Sequence, residues 1–306
     1  MSIWTTLPAQ VMHVPTIPVL SVGNLKGGVG KTSLVANLAV ALTLAGYRVL
    51  AIDLDFQASL SVALPPQIIP RYEDADGGIH ALLSESYDMF HNNQVTAMGV
   101  PPFSDLRLVR TSLELSDVED KLFAAFILGE REKDPRFALA RKLVDPRLGR
   151  DFDIVIIDTP PRLTMASINA FCASTHVLIP TSLTAMSRSG AVTFVHYLNQ
   201  FRKNMCPAIK VLGVLATFTA PGKLNTAENR VLDELETFLP GVEVWRDLFI
   251  PLRQGIANNR VLQDQNLKAL FAAVARKVAA KLELKRNGNT QGRHAHRGSG
   301  FRGADL

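Results

Sequence analysis

Seven consecutive residues, Lys26-Gly27-Gly28-Val29-Gly30-Lys31-Thr32, have the types and spacing that hold a phosphate chain. The three glycines leave the backbone free to curl closely around an anion. The N–H groups of the loop, and the N-terminus of a helix starting behind it, then face the phosphates. Lys31 is placed to reach the terminal phosphates and the Thr32 hydroxyl to ligate Mg²⁺. Where the general pattern of such loops opens with glycine, this chain has Leu25, and a second lysine, Lys26, stands at the loop entrance. A glycine-rich turn without a ligand would need neither lysine.

Three carboxylates have the positions that a phosphate-loop enzyme requires. Asp158 follows the apolar run Ile154-Val155-Ile156-Ile157. The end of such a strand is the usual place for a carboxylate that holds Mg²⁺ through its water shell. Asp53 and Asp55 close a second apolar run, and residues two apart in an extended segment point the same way. Both are therefore expected to face the site, one orienting water and the other holding a ligand or backbone. The alternative for each is an ordinary helix cap or turn.

These residues need a scaffold. Val19–Gly23 predicts a strand, Lys31–Ala45 a helix stopped by Gly46, and Arg48–Ile52 a second strand. That unit is expected to be parallel and right-handed. The continuous apolar run at 154–157 predicts a strand buried on both faces, 176–179 and 211–216 read as further central strands, and 242–250 holds another. Residues 79–150 read as helical patterns between charged turns, and 262–284 as a final helix. The expected architecture is α/β: a doubly wound, mostly parallel sheet flanked by helices, with ligands at the carboxyl ends of the strands. Residues 1–17 read as an extended arm, 18–284 as the folded domain and 285–306 as a basic, disordered tail.

Composition narrows the class. Of 306 residues, 47% are hydrophobic and 20% charged, which suits a chain with a sizeable core. The weakly polar stretch from Leu34 to Tyr47 is too short to span a bilayer. No Lys or Arg precedes Lys26, so the basic start of a signal peptide is not expected. Two cysteines, Cys172 and Cys206, suggest neither a disulfide framework nor a metal site, and a reduced cytoplasmic setting is expected. Eight basic residues against two acidic ones lie between Arg276 and Leu306, although the whole chain has a net charge of only +5. Such a basic end suits a polyanionic partner or simple solvation.

Three segments together, Lys26–Thr32, Asp53-Leu54-Asp55-Phe56-Gln57 and Ile157-Asp158-Thr159-Pro160-Pro161, resemble the signatures of the ParA/MinD family of deviant Walker ATPases. The likeness runs from about residue 17 to about residue 284 and is most similar to ParA-type partition ATPases. It implies ATP and Mg²⁺ as cofactors and a homodimer that sandwiches ATP. In such a dimer Lys26 touches the partner's nucleotide and Lys31 binds phosphate in its own subunit. Asp55 orients the hydrolytic water, and Thr32, Asp55 and Asp158 form the metal set, the carboxylates acting through water. The nucleotide set would be Lys26, Gly27, Gly28, Val29, Gly30, Lys31, Thr32 and Ser33, with Thr217 and Pro251 near the adenine. Arg202 and Lys223 fall where the family contacts DNA. The resemblance further implies non-specific binding to nucleoid DNA in the cytoplasm. It also implies a ParB-like or cargo-adaptor protein that stimulates hydrolysis.

The chain departs from the family pattern at two places. Phe56 replaces the usual proline, and Phe218-Thr219-Ala220-Pro221-Gly222-Lys223 replaces a run with an acidic residue and an arginine. With about 17 residues before the first strand, it resembles the short-N-terminus ParA group, and site-specific repression is not expected. A MinD-like membrane-associated regulator is the alternative, but it needs an apolar face in the tail, where only Phe301 and Leu306 are large and apolar. An iron–sulfur relative would need interface cysteines and a tyrosine-kinase relative clustered C-terminal tyrosines, for which the sequence offers no candidates.

Overall fold

A computed structural model of the chain describes residues 15–64, 66–69, 78–83, 96–111, 114–129, 134–253, 256 and 264–286. The strands are β1 (Val19–Val22), β2 (Val49–Asp53), β3 (Thr96–Met98), β4 (Leu106–Val109), β5 (Ile154–Asp158), β6 (His176–Ser182), β7 (Lys210–Thr219) and β8 (Val244–Pro251). They form one sheet in the order β3-β4-β2-β5-β1-β6-β7-β8. Every neighbouring pair is parallel except β3 with β4.

The central strands β1, β2 and β5 are buried at every position because both faces are covered, and apolar except for Ser21 and the terminal Asp53 and Asp158. In β5, Ile154 and Ile156 join the cluster on one face, while Val155 and Ile157 join the cluster on the other. In β1, Leu20 and Val22 share the first cluster with Ile154, and Val19 the second. This two-residue alternation between two cores is what a doubly covered parallel strand produces. Helix α1 (Lys31–Leu44) and the final helix Gln265–Lys281 cover the first face. Helix α1 ends where Gly46 adopts φ 85°, its N–H donating to Thr43 O while Tyr47 N–H donates to Leu42 O. The opposite face carries the helices Ala138–Leu143 and Met165–Ala173 toward one edge. Toward the other edge it carries Ala185–Asn204 and Thr226–Phe238.

The structure corrects the reading of residues 79–150, which holds β3 and β4 as well as helices. Both strands are short, and Arg107 interrupts the apolar run of β4, so neither shows a period long enough to read. The final helix is also shorter than expected, Gln265–Lys281. Residues 1–14 of the expected arm and 287–306 of the expected tail lie outside the described residues. Arg286, counted with the tail, is placed over the Tyr47 ring at 5.3 Å.

Candidate nucleotide site

The loop joining β1 to α1 lies at the carboxyl ends of β1, β2 and β5, where the order of the sheet turns back on itself. This is the crevice that open α/β sheets use for ligands. A cleft of about 720 Å³ opens there, lined by Gly27, Gly28, Gly30, Lys31, Thr32, Ser33, Asp55, Gln57, Ser59, Val62, Ala63, Pro161 and Phe218. Its size is within the ordinary range for small-molecule sites.

Buried polar struts fix the loop from behind. Asn24 is 1% exposed; its Nδ2 donates to Pro180 O at 2.9 Å, and its Oδ1 accepts from Lys26 N at 2.9 Å. Thr159 Oγ1 donates to Val22 O at 2.9 Å, and Thr217 Oγ1 donates to Val29 O at 2.8 Å. Gly28 and Gly30 have φ of 72° and 80°, which non-glycine residues adopt only with strain. Lys31, buried in the first turn of α1, donates from Nζ to Lys26 O at 3.0 Å. Burial pulls its pKa down, and the facing charges of Asp158 and Asp55 push it back up.

The carboxylates divide their roles. Asp53, the last residue of β2, is fully buried; Oδ2 accepts from Ser61 N at 2.8 Å and Ser61 Oγ at 2.7 Å, and Oδ1 from Asp55 N at 3.2 Å. It therefore organises the turn into the short helix at Ser59–Ala63 and does not line the cleft, contrary to the expectation that Asp53 and Asp55 face the site together. The reason is that β2 ends at Asp53, so the strand alternation does not extend to Asp55. Asp55 sits in the following turn, accepts from Gln57 N at 3.1 Å and lines the cleft.

Asp158 is fully buried, and neither of its carboxylate oxygens completes a hydrogen bond. Burial and the neighbouring Asp53 raise its pKa well above the carboxylate range, and the Thr32 hydroxyl and Lys31 oppose that shift. Asp53 is raised to about 6, again chiefly by burial. An unpartnered acid between Thr32 and Lys31 fits a hard cation. Mg²⁺ prefers oxygen ligands, keeps several waters and takes one or two carboxylates. Among the described residues no cluster of three or more His, Cys, Asp and Glu could form an all-protein cage.

The other expected site residues lie around this core. Lys26 sits outside the cleft lining, its Nζ against Met186 Sδ in the first turn of the helix Ala185–Asn204. Thr217 is 1% exposed and spends its hydroxyl on the loop. Pro251 is buried and borders a separate pocket of about 260 Å³ with Phe249, Arg253 and Leu267. Arg202 lies in the last turn of the helix Ala185–Asn204, near the start of β7, and Lys223 follows the end of β7. They therefore flank the two ends of β7, whose ten residues at about 3.3 Å each span on the order of 30 Å. Asn24 and Ser61 gave no sequence signal, because single polar residues beside a strand have no pattern of their own; Thr159 entered only within a signature and Phe218 only as a departure from one.

Comparison with known proteins agrees with this geometry. The AAA_31 family (AAA domain) matches residues 17–211. A protein of Methanocaldococcus jannaschii is 30% identical over 227 residues, covering 74% of this chain and 82% of that protein. The chromosome partitioning protein ParA of Myxococcus xanthus is 28% identical over 202 residues, covering 65% and 64%. Of two other curated relatives, the chain spans 61% and 47% of their length. Cobyrinic acid a,c-diamide synthase from Mycobacterium smegmatis, solved with ADP and magnesium, superposes with TM-score 0.70 at 24% identity, covering 88% of this chain and 96% of that one. An McdA–ATP complex from Cyanothece gives 0.73 at 19%, covering 89% and 98%. Identities this low speak to the fold alone. Family match and fold agree: the chain belongs to the AAA_31 family, has the fold of P-loop ATPases and is similar to ParA-type partition proteins.

Proposed function

We propose that this chain is a partition or positioning ATPase that hydrolyses ATP with Mg²⁺ in the cleft at the carboxyl ends of β1, β2 and β5. The observation that carries the hydrolytic reading is Asp158, a buried acid with both oxygens unpartnered beside Thr32 and Lys31. Thr32 and Asp158 would hold the metal, with Asp55 in its water shell. Once bound, Mg²⁺ would neutralise charge on the phosphate oxygens. Backbone N–H groups of residues 27–32 would cradle the phosphates, and Lys31 would release Lys26 O to bind them. Asp55, in the cleft rather than in the strand, would orient the attacking water.

Two ATP-bound subunits would pair across the exposed Gly27 and Gly28, with Lys26 swinging from Met186 to the partner's nucleotide. The dimer would bind DNA without sequence preference and let go after hydrolysis, which a ParB-like or cargo-adaptor protein would stimulate. Its expected location is the cytoplasmic nucleoid. The order of 30 Å between Arg202 and Lys223 suits a duplex laid along the helix Ala185–Asn204, not a single phosphate contact. Similarity to ParA of M. xanthus supports this reading. Among the described residues no helix is long and apolar enough to cross a membrane.

The test is DNA affinity at several salt concentrations with ATP and with ADP. ATP-dependent binding is expected, and Arg202→Ala should flatten the slope of log affinity against log salt by about 0.9 per lost contact. If ATP gives no DNA binding at low salt, the DNA-carrier reading fails.

A further inference from the structure

The segment that leaves β5 after Asp158 is pinned at both ends. At its start, Thr159 Oγ1 donates to Val22 O at 2.9 Å. At its end, Thr164 caps the helix Met165–Ala173, with Ser167 Oγ accepting from Thr164 N at 2.8 Å and Thr164 Oγ1 accepting from Ser167 N at 3.4 Å. The amide between them, Ala166 N, donates to Glu119 Oε1 at 2.7 Å, across 47 residues of chain. A helix leaves that donor unpaired by itself, and a carboxylate there also meets the positive end of the helix dipole. Charge-assisted hydrogen bonds of this kind are among the strong ones.

Glu119 belongs to the helix Glu114–Leu128, which packs against the helix Met165–Ala173. Its seat is firm at both ends: Leu115 is buried in one core cluster, and Phe126 is buried in another with the Arg136 guanidinium 5.1 Å from its ring. Glu119 itself does not line the cleft. Between the two pins, Pro160 and Pro161 have a fixed φ, so the segment has little freedom to absorb a shift at its far end. Pro161 lines the cleft and faces the phosphate loop, since a Cβ built on Gly27 would lie 3.8 Å from its own Cβ. The phosphate loop is held by other contacts, Asn24 to Pro180 O and Thr217 to Val29 O. Loss of the Glu119 contact would therefore move the wall at Pro161 and not the loop.

We propose that Glu119 is a positioning residue for hydrolysis, holding the segment after Asp158 against the phosphate loop from a helix that does not reach the nucleotide. This rests on the ATPase reading above. A cleft wall misplaced by a fraction of an ångström spoils the alignment that turnover needs, while contacts that bind phosphate remain.

The experiment compares the full chain with Glu119→Ala, Glu119→Gln and Glu119→Asp. The readouts are steady-state ATP turnover with Mg²⁺, titration of fluorescent ADP, and hydrogen exchange of peptides covering residues 159–168. Glu119→Ala should lower kcat by roughly ten- to hundredfold, with KM for ATP and affinity for ADP unchanged. Exchange should accelerate at 161–168 and keep the wild-type rate in the phosphate loop. Glu119→Gln keeps an acceptor at the same reach and should restore most of the turnover. Glu119→Asp withdraws the carboxylate by one methylene and should behave like Glu119→Ala. Wild-type kcat with accelerated exchange at 161–168 would overturn the proposal, because the contact would then serve the helix alone. Equal losses of kcat and ADP affinity would overturn it as well, because the phosphate loop would then move with the wall. Should Glu119→Ala fail to fold, Glu119→Asp takes its place and is read by the same outcomes. If wild type neither binds ADP nor turns over ATP, the ATPase reading fails and the proposal with it.

Discussion

Asp53 and Asp158 are register partners at the carboxyl ends of β2 and β5, two carboxylates buried side by side beneath the phosphate loop. Asp53 has hydrogen bonds from Ser61, whereas Asp158 completes none. The sheet therefore holds a like-charge pair that only protonation, Lys31 or a cation can relieve.

That pair makes stability depend on pH. Asp53 rises from 3.8 unfolded to about 6 folded, and Asp158 rises too. A raised pKa means that the folded state binds the proton more tightly. Its stabilising effect is complete below about pH 4 and is lost as pH climbs through about 6. Asp158→Asn removes one charge, so its melting temperature should gain on wild type as pH rises from 5 to 8. The gain should be largest above about pH 6, where Asp53 would otherwise share the site with a second charge. Melting curves at matched ionic strength check this; a difference independent of pH would mean that the pair is already neutralised.

Lys31→Ala should lower affinity for ATP by about a hundredfold or more, because it deletes a buried cation that faces the phosphates. The fold should survive, since Lys31 makes its hydrogen bond within the loop, at Lys26 O, rather than to the sheet. Fluorescent-nucleotide titration, with circular dichroism as the folding control, decides it.

Asp55→Ala and Lys26→Ala should fail differently. Asp55 lines the cleft, so its loss should spare ATP binding while turnover falls by roughly 10²–10⁴-fold. The variant should accumulate as an ATP-bound dimer, visible by light scattering. Lys26→Ala should bind ATP and remain monomeric. Mixing the two variants tests action across the interface; defects that stay independent in the mixture would count against it.

Thr217→Val keeps the side-chain shape but leaves Val29 O without its donor. An unsatisfied buried carbonyl costs about 1–3 kcal/mol. Denaturant midpoints should fall accordingly, and nucleotide affinity should fall with them, since the loop loses a strut. Unchanged stability would mean that water replaces the hydroxyl.

The phosphate loop, the strand–helix–strand unit and the apolar central strands were legible in the sequence. Each is a local pattern: glycine spacing, an uninterrupted apolar run, a glycine that stops a helix. Asp158 was legible for the same reason, since a buried strand that ends in an acid is visible without a partner. The assignment of Asp53 and Asp55 was not, because strand alternation predicts facing only while the strand continues, and hydrogen bonds from Ser61 and Asp55 N end it at Asp53. The short strands β3 and β4 lacked the length to show a period. The hydroxyl of Thr217, a residue the family resemblance sets near the adenine, is committed to a carbonyl 188 residues earlier in the chain, which no local pattern shows. Phe218 looked like a mere departure from a family pattern until the bulge placed its ring on Gly30. Sequence alone determined which residues could bind phosphate and metal, because backbone freedom and side-chain chemistry are local. Which of them face the cleft, which support it from behind and which carry uncompensated charge was decided by tertiary structure, because burial and register exist only between distant segments.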